Sequence, residues 1–200
     1  EKAEQSASIL TPLRKSVRGA EHELIIISPY FVPRKSGIKL LSELRQRGVE
    51  VTVITNSLAA NNHAIVHAGY APSRRPLLEQ GVKIREYKAL APPPGVKRGG
   101  AGASLATLHT KAFVVDREEF FLGSFNWVPR SAYINTELGV IIKSPPLASA
   151  VASLIDMQLD KVTYEVVLNE NDGLTWIDRS GDEPVLFYTE PDTGFWRRFG

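Results

Sequence analysis

The 200 residues carry 24 lysines and arginines against 22 aspartates and glutamates, a net charge of +2, with 43% hydrophobic residues. That length suits one domain with a substantial core, and so slight a positive balance names no anionic partner. Zero cysteines exclude disulfides, iron–sulfur clusters and thiolate zinc sites, and no apolar run approaches the roughly 20 residues of a membrane span.

In chain order, residues 7–17 have the period of an amphipathic helix, and residues 23–28, with the run Leu24-Ile25-Ile26-Ile27, that of a buried strand. Residues 38–47 predict a helix closed by Gly48, and residues 49–55 the next strand. Residues 63–80 are helical in part, interrupted around Pro72 and Pro76, with Gly81 as the stop and a strand over 82–87. A proline- and glycine-rich stretch over 92–102 reads as a loop, either gating substrate or merely connecting. Strands are predicted at 108–115, 120–123 and 138–142, a helix from Pro145 to about residue 160, an edge strand over 164–169, and a terminal hairpin over 174–188. Strands alternating with helices predict an α/β fold: a mixed, largely parallel β-sheet flanked by helices on both faces. Arg14, Lys15, Arg18, Arg34, Lys35, Lys39, Arg45 and Arg47 crowd the first quarter; they read as solvated helix faces, and would also draw lipid headgroups or nucleic acid. The tail Trp196-Arg197-Arg198-Phe199 pairs aromatic with basic residues, as interfacial segments do.

The chemistry concentrates in His109-Thr110-Lys111, Asp116, Gly123-Ser124-Phe125-Asn126 and Asn135-Thr136-Glu137. The two-residue period of a strand puts His109 and Lys111 on one face. A hairpin after Asp116 returns Ser124 and Asn126 toward them. Lysine supplies a point charge and asparagine a neutral donor for a phosphate oxygen, and such donors stabilise the charge of a pentacoordinate transition state. Glu137 is positioned to accept the other ring N–H of His109, which fixes its tautomer and makes it a usable nucleophile or acid. Asp116 stands at the far end of the strand, where a structural or indirect role suits it better than proton carriage.

The pattern H-x-K-x4-D-x6-G-S-x-N, continued through Arg130, Ser131, Asn135 and Glu137 over residues 103–142, resembles the HKD motif of the phospholipase D superfamily. The resemblance implies a phosphodiester transfer in which one motif's histidine becomes a phosphohistidine and a second motif's histidine protonates the leaving alcohol. It implies catalytic roles for His109, Lys111, Asp116 and Glu137, phosphate binding by Lys111, Ser124 and Asn126, and neither a metal nor another cofactor. The other histidines are His22, His63 and His67, and none is followed two residues later by lysine. A second histidine therefore comes either from a homodimer or from a companion lobe of a longer polypeptide. The chain opens on Glu1, with its one methionine at 157, which favours the longer polypeptide and makes residues 1–200 one catalytic half-domain, its C-terminal lobe.

Ser28-Pro29-Tyr30-Phe31-Val32-Pro33, Thr55-Asn56-Ser57-Leu58-Ala59-Ala60 and Val66-His67-Ala68-Gly69-Tyr70 resemble the C-terminal half of bacterial cardiolipin synthases of this superfamily. The first two follow strands, at the carboxyl ends where open α/β sheets seat ligands, which makes Tyr30 and Asn56 candidate pocket residues, with packing in the wall of the fold as the other reading of Tyr30; His67 is a candidate through the resemblance alone, and on a helical pattern it reads more readily as a satisfied structural histidine. The resemblance implies a phospholipid substrate, cardiolipin synthesis and a bacterial protein peripheral at a membrane surface. Two other readings stay open: a single-motif endonuclease acting on nucleic acid as a homodimer, and a non-catalytic partner lobe.

Overall fold

The computed structural model describes residues 9–61, 63–89 and 107–194. The expected 92–102 loop, the 196–199 tail and the first residues of the leading helix lie outside them.

The helix α1 (Leu10–Arg18) leads into β1 (Glu23–Ile27), followed by α2 (Arg34–Gln46), β2 (Glu50–Asn56), α3 (Ala64–Tyr70), a 3-10 turn (Ala71–Ser73), α4 (Arg74–Glu79) and β3 (Lys83–Tyr87). The second half contains β4 (Ala112–Val115), β5 (Glu119–Gly123), α5 (Pro129–Tyr133), β6 (Gly139–Lys143), α6 (Pro145–Val162), β7 (Thr163–Leu168), β8 (Leu174–Asp178) and β9 (Val185–Phe187). All nine strands share one sheet in the order β6-β5-β4-β1-β2-β3-β7-β8-β9. Helices cover both faces. Leu13 and Val17 of α1 and Leu41 and Leu44 of α2 pack with Leu24, Ile26, Phe113 and Phe121 on one face, and Ala148 and Ala152 of α6 pack with Ile25, Ile54, Val114 and Phe120 on the other.

The sheet is mixed, as expected, but its parallel part is smaller than expected. Among the strand pairs of the described residues, β1–β2 and β2–β3 run parallel and the others antiparallel. The helical crossovers that parallel pairing requires stop after β3, and short connections fold β4–β5 and β7–β8–β9 back on themselves. The 164–169 strand is interior, between β3 and β8, and not an edge. Pro72 sits in the 3-10 turn and Pro76 in the first turn of α4, so the predicted interruption of residues 63–80 falls at those prolines.

The β4–β5 turn is tight. Asp116 and Arg117 both have positive φ (52° and 55°), and Glu118 N–H donates to Val115 O at 2.9 Å, a primed hairpin turn without glycine. The strain is offset by external bonds: the Asp116 carboxylate accepts from the amides of Glu21, His22 and Glu23 at 2.9, 2.7 and 2.8 Å, and Arg117 donates to Glu23 and Asp156. At the opposite end of the same hairpin Gly123 faces Gly139. A Cβ on either would run into the Phe121 ring, so this glycine pair lets Phe121 lie across both strands and stack on Phe113 at 5.0 Å.

Candidate active site

β4 runs antiparallel to β1, with Ala112 opposite Ile27. The start of β4 therefore lies at the edge where β1, β2 and β3 end, beside the end of β5 and the start of β6. This single edge collects the motif. Lys111 O accepts from Gly123 N at 3.1 Å, and Ser124 N donates to Leu138 O at 2.8 Å, which brings the two ends of the motif together across β5.

Regular strand begins only at Ala112, so His109 and Lys111 precede β4 where a continuous strand from 108 was expected. The His109 side chain is exposed, and among the described residues no hydrogen bond holds its ring. Lys111 is partly buried, and its Nζ donates to His109 O at 2.8 Å. That burial draws the ammonium below the ordinary lysine range, against the pull of the Glu137 charge.

Glu137 is engaged differently from expectation. Its carboxylate accepts from Ser124 Oγ and from Asn135 Nδ2 at 3.2 Å, and the His109 ring is not among its partners. Desolvation would raise its pKa, but hydrogen bonds from Ser124, Ser131 and Asn135 and the Lys111 charge outweigh it and hold the carboxyl below its usual range. Glu137 is thus an anion next to Lys111, held by its neighbours and not by the histidine. Ser124 Oγ also accepts from Leu138 N at 2.9 Å, so that one hydroxyl links the end of β5 to the Glu137 segment. Among the described residues Asn126 Oδ1 is buried without a partner; an amide oxygen only accepts, so it is the Nδ2 group of this side chain that has the chemistry to donate to a phosphate oxygen.

Asp116 stands at the other end of β4, on the three amides described above. It belongs to the frame of the hairpin and does not join the His109 group. The candidate pocket residues separate as well. Tyr30 is half-buried, its ring edge-on to His63 at 5.6 Å. Asn56 is 3% exposed; its Nδ2 donates to Pro29 O (3.3 Å) and Leu108 O (3.2 Å), and its Oδ1 accepts from Leu108 N (3.0 Å). Both its donors are used by backbone, which leaves none for substrate. His67 is buried in an ionic cluster with Arg74 and Glu190, 3.1 and 3.3 Å from Nε2. Ser131 and Asn135 entered the sequence reading only as motif positions, and their bonds to Glu137 follow from α5, which no sequence pattern announced. Ser28 was missed; a serine immediately after a buried apolar strand was the available signal.

Residues 13–159 match the family described as "Cardiolipin synthase, PLD-like domain". Cardiolipin synthase C of Escherichia coli (strain K12) is 39% identical over 195 residues, 96% of this chain and 41% of that protein. Among solved structures, Nuc from Salmonella typhimurium, a phospholipase D family member, superposes with a TM-score of 0.61 at 18% identity, covering 81% of this chain and 93% of Nuc. Phosphatidylserine synthase of Haemophilus influenzae gives a TM-score of 0.58 at 18% identity, with 78% and 36% covered. At such identities the two structures speak for the shared fold alone. The chain spans less than half the length of the curated relatives it matches.

Proposed function

The chain belongs to the phospholipase D-like domain family of the cardiolipin synthases, and on that premise we propose that it is one lobe of a phosphatidyltransferase acting through a phosphohistidine. The observation that carries the reading is an exposed His109, its ring unbonded among the described residues, on the same sheet edge as Lys111, Ser124, Asn126 and Glu137, in a chain 39% identical to a cardiolipin synthase over 96% of its length.

Lys111 Nζ and the Asn126 amide take the non-bridging oxygens of a lipid phosphodiester and stabilise their charge as it grows. Of two histidines, His109 being one, the first attacks phosphorus; the P–N bond forms as the bond to the leaving alcohol breaks, and the second histidine protonates that alcohol. The acceptor hydroxyl then gives its proton to the second histidine and attacks phosphorus, which frees the first. A phosphatidyl lipid as acceptor yields cardiolipin, and water yields phosphatidic acid.

The second histidine belongs to a companion lobe. A trough of about 400 Å³ on the α6 face is walled by Leu108 and Thr110, either side of His109, and by Leu122, Leu154 and Ile155. Leu122, Val140, Leu154 and Met157 remain about half exposed or more. Such a contiguous apolar face is what an inter-lobe contact requires, and the extra length of the relatives leaves room for the lobe. Ile65, Ile134 and Leu138, at 84, 76 and 80% exposure, lie in segments leaving the catalytic edge and support peripheral contact with a bilayer.

The test is turnover by the full-length protein on vesicles of phosphatidylglycerol and phosphatidylethanolamine, wild type beside His109→Ala, with single-stranded DNA cleavage read in parallel. Lipid transfer should fall by at least about 10³-fold in the variant. A variant that keeps transferring lipid overturns the reading; DNA cleavage without lipid turnover replaces it with the homodimeric nuclease.

A further inference from the structure

Two buried polar side chains lie one after the other along the catalytic edge, and neither reaches the candidate phosphate site. Ser28, which follows β1, is 2% exposed, and Asn56, the last residue of β2, is 3% exposed. Each is spent on backbone. Asn56 pairs with Leu108 as a strand would, donating to its carbonyl at 3.2 Å and accepting from its amide at 3.0 Å, one residue before His109. Ser28 Oγ accepts from Trp127 N at 3.0 Å, one residue after Asn126, and donates to Tyr30 O at 2.8 Å. Val32 N–H completes that second clamp by donating to Trp127 O at 2.7 Å.

Both clamped segments lie beyond the regular ladder. Residues 108–111 precede β4 and residues 124–127 follow β5, so the sheet alone does not fix them. The two clamps meet on one turn: Asn56 Nδ2 also donates to Pro29 O at 3.3 Å, and Ser28 and Tyr30 flank that proline. We infer that Ser28 and Asn56 are positioning residues that, through the Ser28-Pro29-Tyr30 turn, jointly set the separation of the His109 and Asn126 sides of the site. The catalytic meaning of that separation rests on the transfer reaction proposed above; the clamping itself does not.

The experiment compares wild-type full-length protein with Asn56→Ala, Ser28→Ala and the double variant, by residue-resolved amide hydrogen exchange and by steady-state turnover on the same vesicles. In Asn56→Ala the Leu108 amide should exchange at least about tenfold faster while Phe113 and Val114 keep their protection. Turnover should drop about 10- to 100-fold in kcat with KM within about threefold, as a misplaced reacting group requires. Ser28→Ala should release Trp127 in the same local way, and the double variant should lose less than the product of the single losses, because the clamps share a turn. Unchanged protection at Leu108 and Trp127, or exchange that rises uniformly along β4 with the kcat loss, overturns the inference. Should Asn56→Ala fail to fold, Ser28→Ala, which removes one hydroxyl, decides by the same readouts. Absent lipid turnover in the wild type sinks the transfer reaction and leaves exchange to decide the clamps.

Discussion

Two of the clusters of histidine, cation and carboxylate among the described residues, one in the interior and one at the sheet edge, differ in what is left over. In the interior, Glu86 is fully buried and accepts from Arg74 Nε at 2.7 Å, Tyr70 OH at 2.9 Å and Trp176 Nε1 at 2.8 Å. Arg74 also donates to Glu190 at 2.6 Å and lies over the Tyr70 and Trp176 rings at 4.9 and 5.2 Å. At the sheet edge, by contrast, among the described residues no hydrogen bond holds the exposed His109 ring and Asn126 Oδ1 is unmatched. On the transfer reaction proposed above, the reactive place is marked not by dense charge but by unspent capacity, because buried charge is retained only when its partners satisfy it. Nδ1 of His67 is the exception inside this cluster, buried and unpartnered among the described residues.

The sharpest way to break this contrast is Arg74→Met. It leaves the fully buried Glu86 and the half-buried Glu190 without this cation, and the expected cost is roughly 3 to 5 kcal/mol of folding stability. Denaturant unfolding should reveal it, with turnover per folded molecule preserved. His109→Ala should behave in reverse, abolishing transfer while leaving stability within about 0.5 kcal/mol, as expected for an exposed side chain without partners. A stable Arg74→Met protein that had lost activity would mean that the interior cluster belongs to the chemistry.

The two clusters were unequally legible. The edge could be read because its residues are close in sequence and carry a fixed pattern. Arg74 and Glu190 are 116 residues apart and Arg74 and Glu86 twelve, and only the β3–β7–β8 pairing joins them with Trp176, which no local period encodes. The apolar runs of β1 and β2, the helix α6 and the terminal hairpin were readable from pattern for the same local reason. Strand order was not: β4 lands beside β1 while β7 lands beside β3, so continuing the early α/β alternation overstated the parallel pairing. For the residues flanking the motif it is burial, invisible in a local pattern, that decides the role. Asn56 at the end of β2 looked like a ligand-binding amide and is saturated by backbone, and His67 was drawn into the ionic cluster.

Asp116 sharpens the comparison from the frame side. Burial would raise its pKa, but the amides of Glu23, Glu21 and His22 outweigh that and hold it below the usual carboxylate range. A carboxyl depressed on folding contributes stability that is present above the unfolded value of about 3.9 and is lost as pH falls through the lower folded value. Asp116→Asn is expected to cost roughly 1 to 2 kcal/mol at pH 7, discounted for partial exposure, with a smaller gap from wild type at pH 3. Turnover per folded molecule should stay within about threefold. A gap unchanged at pH 3 would exclude the ionised carboxylate as the anchor, and a hundredfold fall in kcat would return Asp116 to the reacting group.

Lys111 gives the smallest and most specific effect, because it belongs to the edge yet is partly buried like the interior. Desolvation lowers its pKa and Glu137 partly restores it, so folding disfavours its charge: the penalty is full at low pH and is relieved as pH rises through the folded and then the unfolded value. Stability and phosphate binding therefore respond to alkali in opposite directions. In a pH profile of kcat/KM the alkaline fall should have its midpoint below the ordinary lysine range. Lys111→Arg should lower the rate by about tenfold, since a fork replaces a point charge, and should remove that fall, because a guanidinium stays protonated. Glu137→Gln should move it to still lower pH by withdrawing the charge that props the ammonium up. An alkaline limb that survives unchanged in Lys111→Arg would assign the titration to another group and leave Lys111 a structural cation.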